Sequence, residues 1–246
     1  MPFTFAHPLY IFPVKYINPK YFSLAGLVLG SMSPDFEFFL VLEPYQTIGH
    51  TFKGLIVQAI PLCLLVLMLL QFVMRPFALH LPSAFGLDMR LYSAIRYFEA
   101  KKFRSWAVFI SSVVIGFYSH LLVDSFTHAS GYFVQKWPTL QSGFFGLPMY
   151  KVLQYSLSVV GVMVQAYLIW MILMKKSPAA RDFQIAKISP KRKTAYWMIV
   201  LLATFGVMGA KLLFATNSNL LGILIVSPIS GCILGIVTAS FIYRKI

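Results

Sequence analysis

The stretch HLLVDSFTH places His120, Asp124 and His128 four residues apart. On a helix that spacing brings Cβ atoms to roughly 5–6 Å on one face. His120 with Asp124, or Asp124 with His128, can therefore reach one metal ion, and all three can serve a wider site. His7, Asp35 and His50 also lie in short polar contexts, and Glu37 follows Asp35 by two residues. A mixed imidazole and carboxylate set suits zinc, manganese or iron better than copper(I), which prefers sulfur, or magnesium, which prefers oxygen alone. The same groups can instead pair in an interhelical hydrogen-bond network without metal. Asp35 and Glu37, after Pro34, also fit helix capping or interfacial solvation, and His50 before Thr51 fits a helix start. Asp35 and Glu37 are the candidate catalytic carboxylates, Glu37 as a general base for bound water.

These residues sit in a chain that is 59% hydrophobic and 11% charged, with mean hydropathy +0.76, which implies an integral membrane protein. Residues 1–20 are apolar but broken by Pro2, Pro8, Pro13 and Pro19, so no uninterrupted spanning helix fits there. They read as interfacial or re-entrant, without the basic leader of a cleavable signal peptide. Residues 21–33 are too short to span and read as a buried half-helix ending at Pro34-Asp35; residues 36–47 form a polar edge. Spans follow at 52–74, 106–127, 152–174, 195–215 and 220–243. The expected fold is all-α, a multi-pass transmembrane bundle of about five spans plus the N-terminal half-helix. Residues 1–151 make the membrane-embedded domain that carries the site, and 152–246 supply three further helices of the same bundle.

The net charge of +14 arises from 21 basic against 7 acidic residues. In a soluble protein this excess would suggest nucleic acid, but here the bases collect in loops 75–105 and 175–194 between apolar runs. Topology and anionic headgroups explain that pattern, so the partners expected are membrane lipids and no nucleic acid. With both loops and the C-terminal tail cytoplasmic, His50 and residues 120–128 share the opposite side. His80 then falls in a cytoplasmic loop, is expected at the interface, and is left out of the site. Cys63 and Cys232 lie inside apolar runs as packing residues, and the Gly231 to Gly235 spacing permits close helix approach. No triad order surrounds Ser119, Ser125 or Thr127, and there is no phosphate-binding glycine loop.

MPFTFAHP, LGSMSPDFEFF, GHTFKG and HLLVDSFTH, taken together, resemble the bacterial domain-of-unknown-function 4184 (DUF4184) family through about Tyr150. The order His, Pro-Asp, His, His-x-x-x-Asp is also similar to inner-membrane metal-dependent hydrolases and, more distantly, to zinc-dependent phospholipase C. Carried over by motif, the resemblance implies His7, Asp35, His50, His120 and Asp124 as ligands, with His128 an addition, holding one or two divalent ions, zinc foremost. The chain departs from the phospholipase pattern in having no histidine after His128, which argues against a three-metal cluster. The expectation is a metal-dependent hydrolase in the bacterial cytoplasmic membrane, acting on a lipid or lipid-linked phosphoester at the outer face. The alternative is a non-enzymatic membrane protein whose His/Asp cluster is structural or carries a cation. A transporter would favour paired broken helices, and the half-helix has no counterpart near the C-terminus.

Overall fold

A computed structural model describes residues 3–144, 146–175, 188–215 and 219–244. Most of the second basic loop expected at 175–194, including Lys176, Arg181 and Lys187, lies outside the described residues, as do residues 216–218 of the expected turn and the end of the C-terminal tail. The rest is almost entirely helical. Among the described residues, six helical stretches are long and apolar enough to cross a membrane: Leu24–Val41, Phe52–His80, Phe103–Lys136, Met149–Lys175, Pro190–Leu213 and Leu220–Ile242. This is a multi-helix membrane protein. Five of the stretches are the expected spans, with ends moved by up to nine residues. The sixth arises where the expected half-helix continues, because Pro34 enters at the start of a 3-10 turn, Ser33–Asp35, where a missing N–H costs little. Helix α3, Leu24–Met32, thereby runs on into α4, Phe36–Val41, and the expected polar edge begins as helix with Glu37 and Phe38 buried.

The chain divides into two compact units. The first comprises Met1–Phe36, Thr47–Leu64 and Glu99–Ile169. Its N-terminal prolines leave only short helices, α1, His7–Ile11, and α2, Val14–Ile17. The long α8, Phe103–Thr127, packs along α3, and small residues set the distance between them. A Cβ added at Gly26 would lie 2.6 Å from the Phe109 carbonyl oxygen, and one at Gly116 would lie 2.5 Å from that of Leu27 and 2.7 Å from the Ser31 nitrogen. The backbones thus touch through a small-xxx-small pattern, Gly26 to Gly30, the device that packs helices where lipid removes the usual hydrophobic drive. Ser112 Oγ accepts from Ser23 N at 2.8 Å and ties the start of α3 to α8. Helix α5, Phe52–Gly54, passes into α6, Ile60–His80, through a π-helical turn, Leu55–Ala59, whose Leu55 and Ala59 pack on Phe117. After α8 come α9, Tyr132–Lys136, α10, Pro138–Gln141, and a two-stranded hairpin that the helical reading did not anticipate: β1, Gly143–Phe144, pairs with β2, Leu147–Pro148. Helix α11, Met149–Lys175, follows.

The second unit comprises Glu37–Gln46, Leu65–Phe98 and Trp170–Ile246. Helices α12, Pro190–Leu213, and α13, Leu220–Ile242, pair closely; Gly231 and Gly235 face Thr204 and Val200, the packing role expected of that spacing. His80 is a correction to the sequence reading. It is fully buried at the end of α6, stacked on Tyr196 at 4.5 Å, because the helix continues past Pro76 instead of entering a loop. The short α7, Leu87–Ala94, occupies the middle of the first basic loop.

Candidate metal centre

Each ligand-type side chain of the first unit is delivered by a different local device. His7 opens α1 after a 3-10 turn, Thr4–Ala6. That turn is held on α11, where Gln165 Nε2 donates to the carbonyls of Phe5 (2.7 Å) and Ala6 (3.3 Å) and Tyr10 Oη donates to that of Leu157 (2.5 Å). Asp35 closes the 3-10 turn between α3 and α4. His50 precedes the N-cap Thr51, whose Oγ1 accepts from Gly54 N at 3.0 Å and donates to the Ile48 carbonyl at 2.7 Å. His120 and Asp124 lie one turn apart on α8, with His120 Nε2 3.2 Å from Asp124 Oδ2.

The four histidine and aspartate neighbours converge on His120. His50 Nε2 is 3.2 Å from His120 Nε2 and 3.4 Å from Asp124 Oδ2. Asp35 Oδ1 lies 3.7 Å from His120 Nε2 and 3.6 Å from His50 Nε2. The His7 ring stacks on His120, centroids 3.8 Å apart and planes at 16°, and its Nε2 is 3.7 Å from Asp124 Oδ1. Two sets of mutually close donors result, His7 with Asp35 and His120, and His50 with His120 and Asp124, and either could hold a metal ion.

The hydrogen bonds decide what the cluster is short of. His120 Nδ1 faces the Ser31 carbonyl at 2.8 Å, and a carbonyl can only accept, so Nδ1 carries the proton. In the neutral ring, Nε2 then presents a lone pair towards the oxygens of two carboxylates. Donor atoms facing one another in this way, with the far ring nitrogen held by a backbone oxygen, form the arrangement by which proteins orient a metal-binding histidine. A metal-free hydrogen-bond network should satisfy its buried members. Here His7 Nδ1 and Nε2, Asp35 Oδ1 and Asp124 Oδ1 are buried without a hydrogen-bond partner among the described residues. Burial, followed by the neighbouring His120 ring, holds His7 well below the usual histidine range, so it is neutral near pH 7 and free to ligate.

His128 and Glu37 fall outside both donor sets. The helix ends at Thr127, and His128 has extended backbone. Its Nδ1 lies 3.1 Å from the Asp124 carbonyl oxygen and 3.6 Å from Asp124 Oδ1, while Nε2 is buried without a hydrogen-bond partner among the described residues. Glu37 is buried on the first turn of α4. Sequence reasoning missed two supports. Thr4 Oγ1 donates to Asp35 Oδ2 at 2.6 Å, and the Ser31 carbonyl fixes His120. Thr4 was detectable, three residues before His7; the Ser31 carbonyl left no signal, since any residue type supplies one.

Residues 1–241 match the family described as Domain of unknown function (DUF4184). The chain belongs to that family. The match covers the α11 to α13 region as well, beyond the Tyr150 limit of the motif resemblance. No curated protein matches this DUF4184 chain, and no solved structure matches it.

Proposed function

We propose that this DUF4184 protein is a membrane-embedded hydrolase that uses a divalent metal ion, zinc foremost, to cleave a lipid or lipid-linked phosphoester at the outer face of a bacterial cytoplasmic membrane. The observation that carries this reading is the triangle of His50 Nε2, His120 Nε2 and Asp124 Oδ2, with sides of 3.2, 3.4 and 3.2 Å. Tetrahedral zinc with bonds of about 2.0–2.1 Å has edges of roughly 3.3–3.4 Å. Asp35 Oδ1, 3.6 and 3.7 Å from the two imidazoles, is the next donor, and His7 stands behind His120. A bound divalent ion would lower the pKa of a water molecule towards 7 and polarise a phosphoryl oxygen.

Within the chain's own residues, His128 suits the general-base role better than Glu37. Its Nδ1 is oriented by the Asp124 carbonyl and its Nε2 is uncommitted. The His128 and His50 side chains are 25% and 14% exposed against none for His120, so the cluster opens on their side. That edge lies where one apolar stretch begins, at Phe52, and where α8 ends, which favours a substrate held at headgroup level. The basic loop at 75–105 supports a cytoplasmic placement of the opposite helix ends. The deep burial of Asp35 and His120 favours the second reading, a structural or cation-carrying site.

The test is a comparison of metal content and turnover in nanodiscs. Wild type should hold about one equivalent of zinc and cleave at least one member of a lipid-phosphoester panel. Asp124→Asn should lose the metal. His128→Ala should keep it while losing turnover by about 10²–10⁴-fold. Fully loaded wild type that cleaves nothing in the panel leaves the structural or cation-carrying reading.

A further inference from the structure

The second unit contains a cavity of about 260 Å³ lined by Gln71, Arg75, Tyr92, Tyr97, Tyr243 and Arg244, with Phe72, Pro76 and Leu79 as its apolar side. Among the described residues, its lining has two guanidinium groups and no carboxylate. The Arg75 guanidinium lies over the Tyr97 ring at 4.4 Å and the Tyr92 ring at 5.5 Å, and that of Arg244 lies over Phe72 at 4.8 Å. Cation–π contact engages the face of a guanidinium and leaves its in-plane N–H donors unused. Among the described residues, neither guanidinium group makes a hydrogen bond or an ion pair. The half-buried cations of this unit are committed instead: Lys193 bonds Asp88 at 2.6 Å, Lys211 bonds Glu43 at 3.1 Å, and Arg90 donates to the carbonyl of Met174 at 2.8 Å.

The supports of the two arginines are themselves anchored. Gln71 is one turn before Arg75 on α6, and its Oε1 accepts from Phe98 N at 3.0 Å, which fastens the segment that carries Tyr97 beside the cavity. Phe72 stacks with Phe241 of α13, three residues before Arg244. Two guanidinium groups thus lie over aromatic rings in a pocket lined by three tyrosines. A guanidinium fork matches the geometry of phosphate oxygens, which accept paired N–H donors. The position, at the ends of two apolar helices and among tyrosines, is that of lipid headgroups.

We propose that this cavity is a binding site for a phosphate group, with Arg75 and Arg244 as its two ligands. The shared chemistry is a phosphate oxygen set, supplied either by an anionic phospholipid headgroup or by a soluble phosphate, and two measurements on the full-length protein distinguish the sources. In nanodiscs that mix phosphatidylglycerol with phosphatidylcholine, native mass spectrometry reads phosphatidylglycerol retention. In a neutral detergent free of lipid, thermal shift reads inorganic phosphate binding. Arg75→Gln combined with Arg244→Gln, both at exposed positions, should weaken retention or binding by about tenfold or more, with the phosphate-free thermal midpoint unchanged as the folding control. Loss in the nanodisc measurement alone assigns a lipid headgroup, and loss in the detergent measurement assigns a soluble phosphate. If wild type binds neither probe, or the folded double variant binds both as tightly as wild type, the site is overturned. Arg104→Gln, in the other unit and outside this cavity, should leave both measurements at wild-type values.

Discussion

Replacing Gly116 by alanine tests whether helix contact, rather than the side chains alone, builds the candidate metal centre. The new Cβ would stand 2.5 Å from the Leu27 carbonyl oxygen and 2.7 Å from Ser31 N, both backbone atoms that cannot swing aside. Restoring an ordinary van der Waals separation of about 3.5 Å requires α3 and α8 to part by roughly 1 Å. That movement stretches the 2.8 Å contact between the Ser31 carbonyl and His120 Nδ1 beyond hydrogen-bonding reach. Overpacking costs about 1–3 kcal/mol and the lost bond about 1 kcal/mol, while alanine in place of glycine returns about 1 kcal/mol in a helix interior. The net expectation is a destabilisation of about 1–3 kcal/mol. Losing the group that orients a ligating histidine weakens metal binding by about 10–100-fold. Zinc titration and thermal melting of purified protein read the two effects. Gly206→Ala is the control, because nothing lies within 4 Å of its added Cβ, and it should leave both properties unchanged or improved. A Gly116→Ala protein that binds zinc as tightly as wild type would refute the reasoning.

Thr4→Val removes the 2.6 Å bond to Asp35 Oδ2 while keeping shape; zinc affinity should fall about 10–100-fold, and Thr4→Ser should restore it. Burial opposes ionisation of Asp88, but hydrogen bonds from Lys193, Ser83 and Met89 outweigh it and hold the carboxyl below its usual range. The contribution of this pair to stability is therefore complete above about pH 4 and lost as pH falls through the lowered native value; Asp88→Asn should destabilise by about 1–3 kcal/mol at neutral pH, and its melting curve should approach that of wild type in acid. In a background lacking Cys63 and Cys232, a cysteine at Ala100 should resist an impermeant thiol reagent in intact cells and one at Ser142 should react. Reversed labelling would place the metal centre on the cytoplasmic side.

The pairing of His120 with Asp124 was legible in the sequence because a helix fixes what four residues of spacing means. His128 was only half legible, since the helix stops one residue short of it and its backbone turns away. That His7, Asp35 and His50 meet this pair could be inferred only from the motif resemblance, since they come from a short helix, a 3-10 turn and a loop whose approach depends on long-range packing. The glycine contact between α3 and α8 was readable as Gly26 and Gly30 in LAGLVLG, yet the same spacing in α13 drew attention first. Span ends were readable to within nine residues, while continuation through Pro34 and Pro76 was not, because a proline stops a helix only where its missing N–H or its ring conflicts with a neighbour.

The ligand sets contain two aspartates and only neutral-capable imidazoles, and no lysine or arginine pairs with either carboxylate among the described residues. Electroneutrality therefore bears on how many ions such a site could hold. With both carboxylates ionised, a single divalent ion would balance them, whereas a second would leave a surplus of two positive charges in a setting where uncompensated charge is costly. Were the cluster to bind metal, charge balance would favour one ion, and a second cation would need an accompanying anion of matching charge.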